Sequence, residues 1–172
     1  MEEYVWLFPI LFILHDFEEI IGFGKWYKRN GELIKRKYPK AAKMLNKIFA
    51  DYSTEGMAVA VLEEFILCIV ICTISIYSAN YDLWIGVFCA FILHLIMHIA
   101  QAVLIKKYVP SLITSVIEII PCTMLLRRCM VISNCQTKDI LIWSIIGIVI
   151  IGVNLKFAHY LMHQFTRWIS TK

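Results

Sequence analysis

Apolar residues in this chain gather in long unbroken blocks rather than alternating with polar ones. Five blocks stand out, at 4–24, 56–79, 83–105, 109–126 and 140–155, the last running on to 163. Each approaches the roughly 20 residues that a helix needs to cross about 30 Å of hydrocarbon. Continuous blocks predict helices, since bare strands cannot satisfy their backbone in lipid and barrel strands would alternate. Between the first two blocks, segment 32–50 interleaves Leu33, Ile34, Ala41, Leu45, Ile48 and Phe49 with lysines. That spacing fits an amphipathic helix lying on a membrane surface, or a solvated basic loop that sets topology. The expected fold class is therefore all-α: a polytopic membrane protein of one domain, 1–172, built as a five-transmembrane-helix bundle. An amphipathic cytoplasmic segment joins helices one and two, and no internal repeat is visible.

Composition supports this. Of 172 residues, 60% are hydrophobic and 17% charged, and the mean hydropathy is +0.71. A soluble domain is closer to half apolar and a quarter charged. The first block follows Glu2 and Glu3 and lacks a basic leader or a small-residue cleavage site, so it reads as a retained helix and not a signal peptide. Basic residues set the orientation. Nine lie between Lys25 and Lys47, and Lys106, Lys107, Lys156, Arg167 and Lys172 fall on the same side if five helices alternate. Only Arg127, Arg128 and Lys138 fall opposite. The positive-inside rule then predicts a multi-pass cell-membrane protein with its N-terminus outside and its C-terminus in the cytoplasm. The net charge of +4 follows from this bias and gives no reason to invoke nucleic acid. Most of the six cysteines sit in apolar runs as small hydrophobes; Cys129 and Cys135 flank the predicted outer loop, where a disulfide could form.

Ionisable groups stand where lipid should exclude them. His15, Asp16, Glu18 and Glu19 lie in the first block, Glu63 and Glu64 in the second, His94 and His98 in the third and Glu118 in the fourth. An ionised side chain at mid-bilayer costs on the order of 3 kcal/mol, so these groups are expected to converge inside the bundle. Counted at 1.5 Å per residue from the predicted cytoplasmic helix ends, they fall about 8–18 Å deep, in one slab. His15 shares a helix face with Glu18 and Glu19, and His94 stands one turn from His98. Histidine nitrogens and carboxylate oxygens without thiolates suit Zn²⁺, Fe²⁺ or Mn²⁺. A divalent ion would also offset the repulsion among clustered carboxylates.

The run His15-Asp16-Phe17-Glu18-Glu19 resembles the motif of the HXXEE-domain family of small integral membrane proteins. Glu63-Glu64, the His94–His98 helix and the segment Lys107-Tyr108-Val109-Pro110-Ser111-Leu112-Ile113-Thr114-Ser115, similar to the family's YxPGxxT stretch, add to the likeness. Ser111 stands where that stretch usually has glycine. The resemblance covers roughly 4–126 and implies a site without naming its reaction.

The residues admit more than one function. In the first, an intramembrane metal-dependent enzyme of hydrolase type acts on a lipid or amphiphilic substrate. His15, Glu18, Glu63, His94, His98 and Glu118 are then metal ligands, and Glu19 or Glu64 is the general base. A di-iron oxidoreductase would use the same ligands. Alternatively, buried Glu and His mark a proton or metal-ion transporter or channel, acting alone or as a homo-oligomer, or they only lock helices together. His159 and His163 form a second pair, read either as a cytoplasmic polar face or as an extension of the site.

Overall fold

The computed structural model describes residues 1–49 and 51–171, together with all side chains there except those of Ala41, Met44 and Thr137. Ala50, at the end of the expected amphipathic segment, and Lys172 lie outside the described residues. Among these residues there is no strand; the chain is all-helical.

Among the described residues, the helices in order are α1 (Glu2–Val5), α2 (Leu7–Lys37), α3 (Pro39–Phe49), α4 (Thr54–Tyr77), α5 (Asp82–Ile105), α6 (Leu112–Ile132) and α7 (Thr137–Ser170). Local chemistry sets several boundaries. Pro9 falls in the first turn of α2, where its missing N–H has no intrahelical partner to lose. Tyr38 ends α2 because Pro39 follows, and Pro39 in turn opens α3 at the position proline favours. Ser53 caps α4, its hydroxyl accepting from Gly56 N–H at 2.9 Å.

Two expectations are corrected. Among the described residues three helices, not five, are long and apolar enough to cross a membrane: α4, α5 and α7. The other two fall short because of the charges they carry, Asp16, Glu18 and Glu19 in α2 and Glu118, Arg127 and Arg128 in α6. Moreover, α2 does not stop near residue 24. It runs to Lys37, because leaving an apolar environment does not itself end a helix, so segment 32–50 divides between the end of α2 and α3.

The core is aromatic. Trp84 stacks on Phe88 with centroids 4.6 Å apart, and Phe8 meets both edge-on, at 6.3 and 5.2 Å. Trp84 Nε1 donates to the Val5 carbonyl at 3.2 Å, fixing the start of the chain to α5. At Gly86 and Gly147 the backbones of α5 and α7 touch, leaving no room for a Cβ on either. The outward faces of the three long helices are apolar; Leu62, Ile66, Val70 and Ile74 make such a stripe on α4. All six cysteines, Cys129 and Cys135 included, are free thiols.

Candidate metal centre

His15 and Glu19 project from α2 on one face, four residues apart, and His94 and His98 project from α5 with the same spacing. The two faces meet. One ligand atom from each of the four side chains lies within 4.8 Å of every other. The His15 ring centroid is 5.2 Å from those of both His94 and His98, which are 4.4 Å from each other. His15 is fully buried and His98 is 5% exposed.

This arrangement fits a cation. His98 Nε2 lies 3.0 Å from His94 Nε2 and 3.0 Å from Glu19 Oε1, and one N–H cannot serve two acceptors well. His15 Nε2 and His98 Nδ1 are buried with no hydrogen-bond partner, which is costly for a polar atom. Donors around a tetrahedral ion with bonds near 2.1 Å stand about 3.4 Å apart, a distance inside the spread observed here.

His15 is held by a relay. The Thr114 hydroxyl donates to Glu18 Oε2 at 2.7 Å, so its lone pair is left to accept from His15 Nδ1–H, 3.1 Å away. Glu18 itself is fixed by Thr114 N–H at 2.8 Å, Ile113 N–H at 3.3 Å and the Tyr108 hydroxyl at 2.6 Å. These N–H groups belong to the first turn of α6, which has no side-chain cap of its own. Glu18 thus caps α6 from a neighbouring helix, with its charge at the positive end of the dipole. Burial and then the adjoining Glu18 carboxylate push the Tyr108 phenol up to about 12. Ser111 adopts a left-handed backbone, φ 67°, which accounts for glycine at that place in the similar segment. Its neighbour Pro110 packs against Gly22.

The predicted site residues therefore separate. His15, His94 and His98 come together, and Glu19 joins them. Glu18 does not, since α6 takes its carboxylate. Glu63 also lies outside, its Oε2 accepting from Asn154 Nδ2 at 3.0 Å. Glu118 is buried outside the group of four, with Oε2 unpartnered. Sequence reasoning gave Thr114 and Tyr108 no role of their own, although both stand in the segment 107–115 that it singled out. Asn154 was missed as well; a lone amide in an apolar block was the available signal.

A cavity of about 120 Å³ opens beside the group, between α2, α4, α5 and α7. Glu19 and His94 reach its wall, together with Asp16, Glu64, Asn154 and His159. His159, one of the pair with two readings, thus faces the site. Asp16 is 4% exposed and lies near Glu19, Glu64 and Glu118. The rest of the lining is apolar, including Phe8, Phe12, Leu67, Ile71, Val87 and Phe91.

No curated protein and no solved structure matches the chain. A family model described as a protein of unknown function with HXXEE motif matches residues 6–126. The motif it is named for is the run His15 to Glu19, two of whose side chains belong to the group of four and a third to the cap of α6. On that match, which spans most of its length, the chain belongs to the HXXEE family.

Proposed function

We propose that this protein is an intramembrane metal-dependent enzyme of hydrolase type, acting on an amphiphilic substrate in the cytoplasmic half of the bilayer. The observation that carries the reading is the convergence of three histidines and Glu19 beside a largely apolar cavity, whose wall Glu19 and His94 reach. A histidine triad leaving one corner toward substrate is a common plan for catalytic sites, whereas closed four-ligand sites are usually structural. Here His15, His94 and His98 would hold Zn²⁺, Fe²⁺ or Mn²⁺, and Glu19 lies beside them on the cavity wall. When bound, the ion supplies Lewis acidity, polarising a carbonyl or acidifying a water. Glu19, placed beside it, takes the proton from an attacking water. Glu64, on the same wall and outside the ligand group, would give its own proton to the leaving group and regain one from the proton taken up by Glu19.

The membrane reading rests on the three long apolar helices and on the bias of basic residues. In it α2, α4, α5, α6 and α7 all cross, the N-terminus is outside and the C-terminus cytoplasmic. Glu18 of α2 is then held at the start of α6 and Glu118 of α6 is buried, which keeps these two carboxyl groups from lipid.

Elemental analysis of protein purified in detergent tests the centre. We expect one divalent ion per chain surviving dialysis, lost in His15→Ala and His98→Ala. Equal trace metal in wild type and variants would overturn the assignment. An ion that exchanges freely would point to transport instead.

A further inference from the structure

The cavity beside the group of four has two unlike ends. Glu19 of α2, Glu64 of α4, His94 of α5 and His159 of α7 line it at one of them. Followed away from these residues, the helices line it with Phe8 on α2, Ile71 on α4 and Val87 on α5. That far end is sealed. The Val5 carbonyl accepts from Cys72 Sγ at 3.3 Å and from Trp84 Nε1 at 3.2 Å, which ties α1, α4 and α5 together at one level. Phe8 leans on Phe88 and Phe91, with centroids 5.2 and 5.6 Å away. Phe8, Ile71 and Val87 are all buried. The near end is open by comparison: Met57, Glu64, Asn154 and His159 are half-buried and Leu155 is exposed.

Such a cavity takes a ligand tail first. A polar head pushed to the closed end would lose its water among rings that cannot replace it. Length and volume then bound the tail. His94 to Val87 and Glu64 to Ile71 each cover seven positions, about 10 Å of helix. An extended alkyl chain, with carbon–carbon bonds of about 1.5 Å, crosses that distance in about eight carbons. The cavity volume of about 120 Å³ is close to that of an apolar site that takes benzene, which has six. Two chains of that length would overfill it.

We infer that the cavity seats one unbranched acyl chain of about six to eight carbons, its carbonyl at Glu19 and His94 and its methyl end against Phe8, Ile71 and Val87. The inference rests on the metal-centre reading above for what happens at the carbonyl. It adds the substrate class and the residues that measure its length.

The test uses full-length protein in nanodiscs, with metal content measured on the same samples. The probe is the N-methylamide of 7-azi-octanoic acid, whose photoreactive diazirine adjoins its methyl end. Insertion is mapped by mass spectrometry and counted only where excess N-methyloctanamide removes it. We expect insertion at Phe8, Ile71 or Val87. N-methyltetradecanamide should compete at least about tenfold more weakly than N-methyloctanamide, since the longer chain must force the packed end apart or withdraw its carbonyl. Ile71→Ala and Val87→Ala each open the closed end, from different helices, so one suffices if the other fails to fold. In either, N-methyldecanamide should gain at least about fourfold on N-methyloctanamide, the worth of one buried methylene. Val70→Ala, on the exposed stripe of α4 beside Ile71, should leave that ratio unchanged. Competed insertion confined to Met57, Glu64 or His159, or equal competition by the octanamide and the tetradecanamide, would overturn the inference. Stoichiometric metal with no competed insertion would sink it and leave the metal reading standing. Competed insertion at the closed end of protein without stoichiometric metal would sink the metal reading and leave the chain site standing.

Discussion

The relay from His15 through Thr114 to Glu18 gives a sharp prediction. Thr114→Val keeps the shape of the side chain and the backbone N–H that Glu18 accepts from at 2.8 Å. It removes the hydroxyl, and with it the 2.7 Å bond to Glu18 and the 3.1 Å bond to His15 Nδ1. A hydrogen bond to a charged group contributes roughly 1.5–3 kcal/mol. Loss of an outer partner of a metal-bound histidine costs about 10–100-fold in metal affinity, which is the same range expressed as binding. The ring of His15 is fully buried, so water cannot readily replace the hydroxyl. Competition against a chelator of graded affinity, read by elemental analysis, should place Thr114→Val in that interval below wild type. Thr114→Ser, which restores the hydroxyl, should recover most of the loss. If Thr114→Val binds metal within about twofold of wild type while His15→Ala binds none, the relay does not orient the ligand and the reasoning fails.

Three further outcomes are expected. Glu18→Ala leaves the N–H groups of Ile113 and Thr114 and the Tyr108 hydroxyl without their acceptor and should lower thermal stability by about 1–3 kcal/mol; Glu18→Gln should cost less, and a stoichiometric loss of metal in Glu18→Gln would return Glu18 to the ligand set. Gly147→Ala places a Cβ against the backbone carbonyl of Gly86 and should destabilise by about 1–3 kcal/mol through forced separation of α5 and α7, seen as a lower unfolding temperature; an unchanged one would mean that the helices do not touch there. Tyr108, raised from 10.0 to about 12 by burial and Glu18, favours folding in its protonated form. Its contribution is full below pH 10 and lost as pH rises through 12. The phenolate absorbance of wild type minus that of Tyr108→Phe should therefore titrate near 12, and a midpoint near 10 would remove the Glu18 contact.

Much of the centre was legible because helical spacing is rigid. His15 with Glu19 and His94 with His98 are each four residues apart, so each pair had to share a face, and depth counting set both pairs at one level. What spacing could not supply was azimuth between helices. Glu18 and Glu19 both stack near His15, and which of them turns to α5 and which to α6 depends on how the helices cross. Depth counting put Glu118 at the same level and said nothing of its direction; it is buried outside the group of four. Glu63 and Glu64, adjacent on α4, point about 100° apart; Glu64 reaches the cavity while Glu63 meets Asn154 of α7. Helix length was misjudged for a different reason. The polar run from Lys25 to Lys37 signals a change of surroundings, and only Pro39 supplies a stop.

The two helices that fall short of a membrane-crossing composition are joined at the same carboxylate. A glutamate within an apolar bundle is unfavourable, and so is a helix whose first N–H groups have no cap. Glu18 and the start of α6 each cancel the other's defect, through the two backbone bonds and the Thr114 hydroxyl. That cancellation explains why Tyr108, Ser111 and Thr114 belong together at their spacing. Ser111 turns the chain with its left-handed backbone, the turn exposes the N–H groups of Ile113 and Thr114, and Tyr108 closes over the carboxylate from the other side. The motif from His15 to Glu19 thus has two functions one residue apart. Glu19 faces the histidines, Glu18 anchors the helix whose threonine holds His15, and the shift of one position turns adjacent glutamates to different partners. Packing alone would be served by one such carboxylate; the second, aimed at three imidazoles around buried nitrogens without partners, is the feature that a cation accounts for.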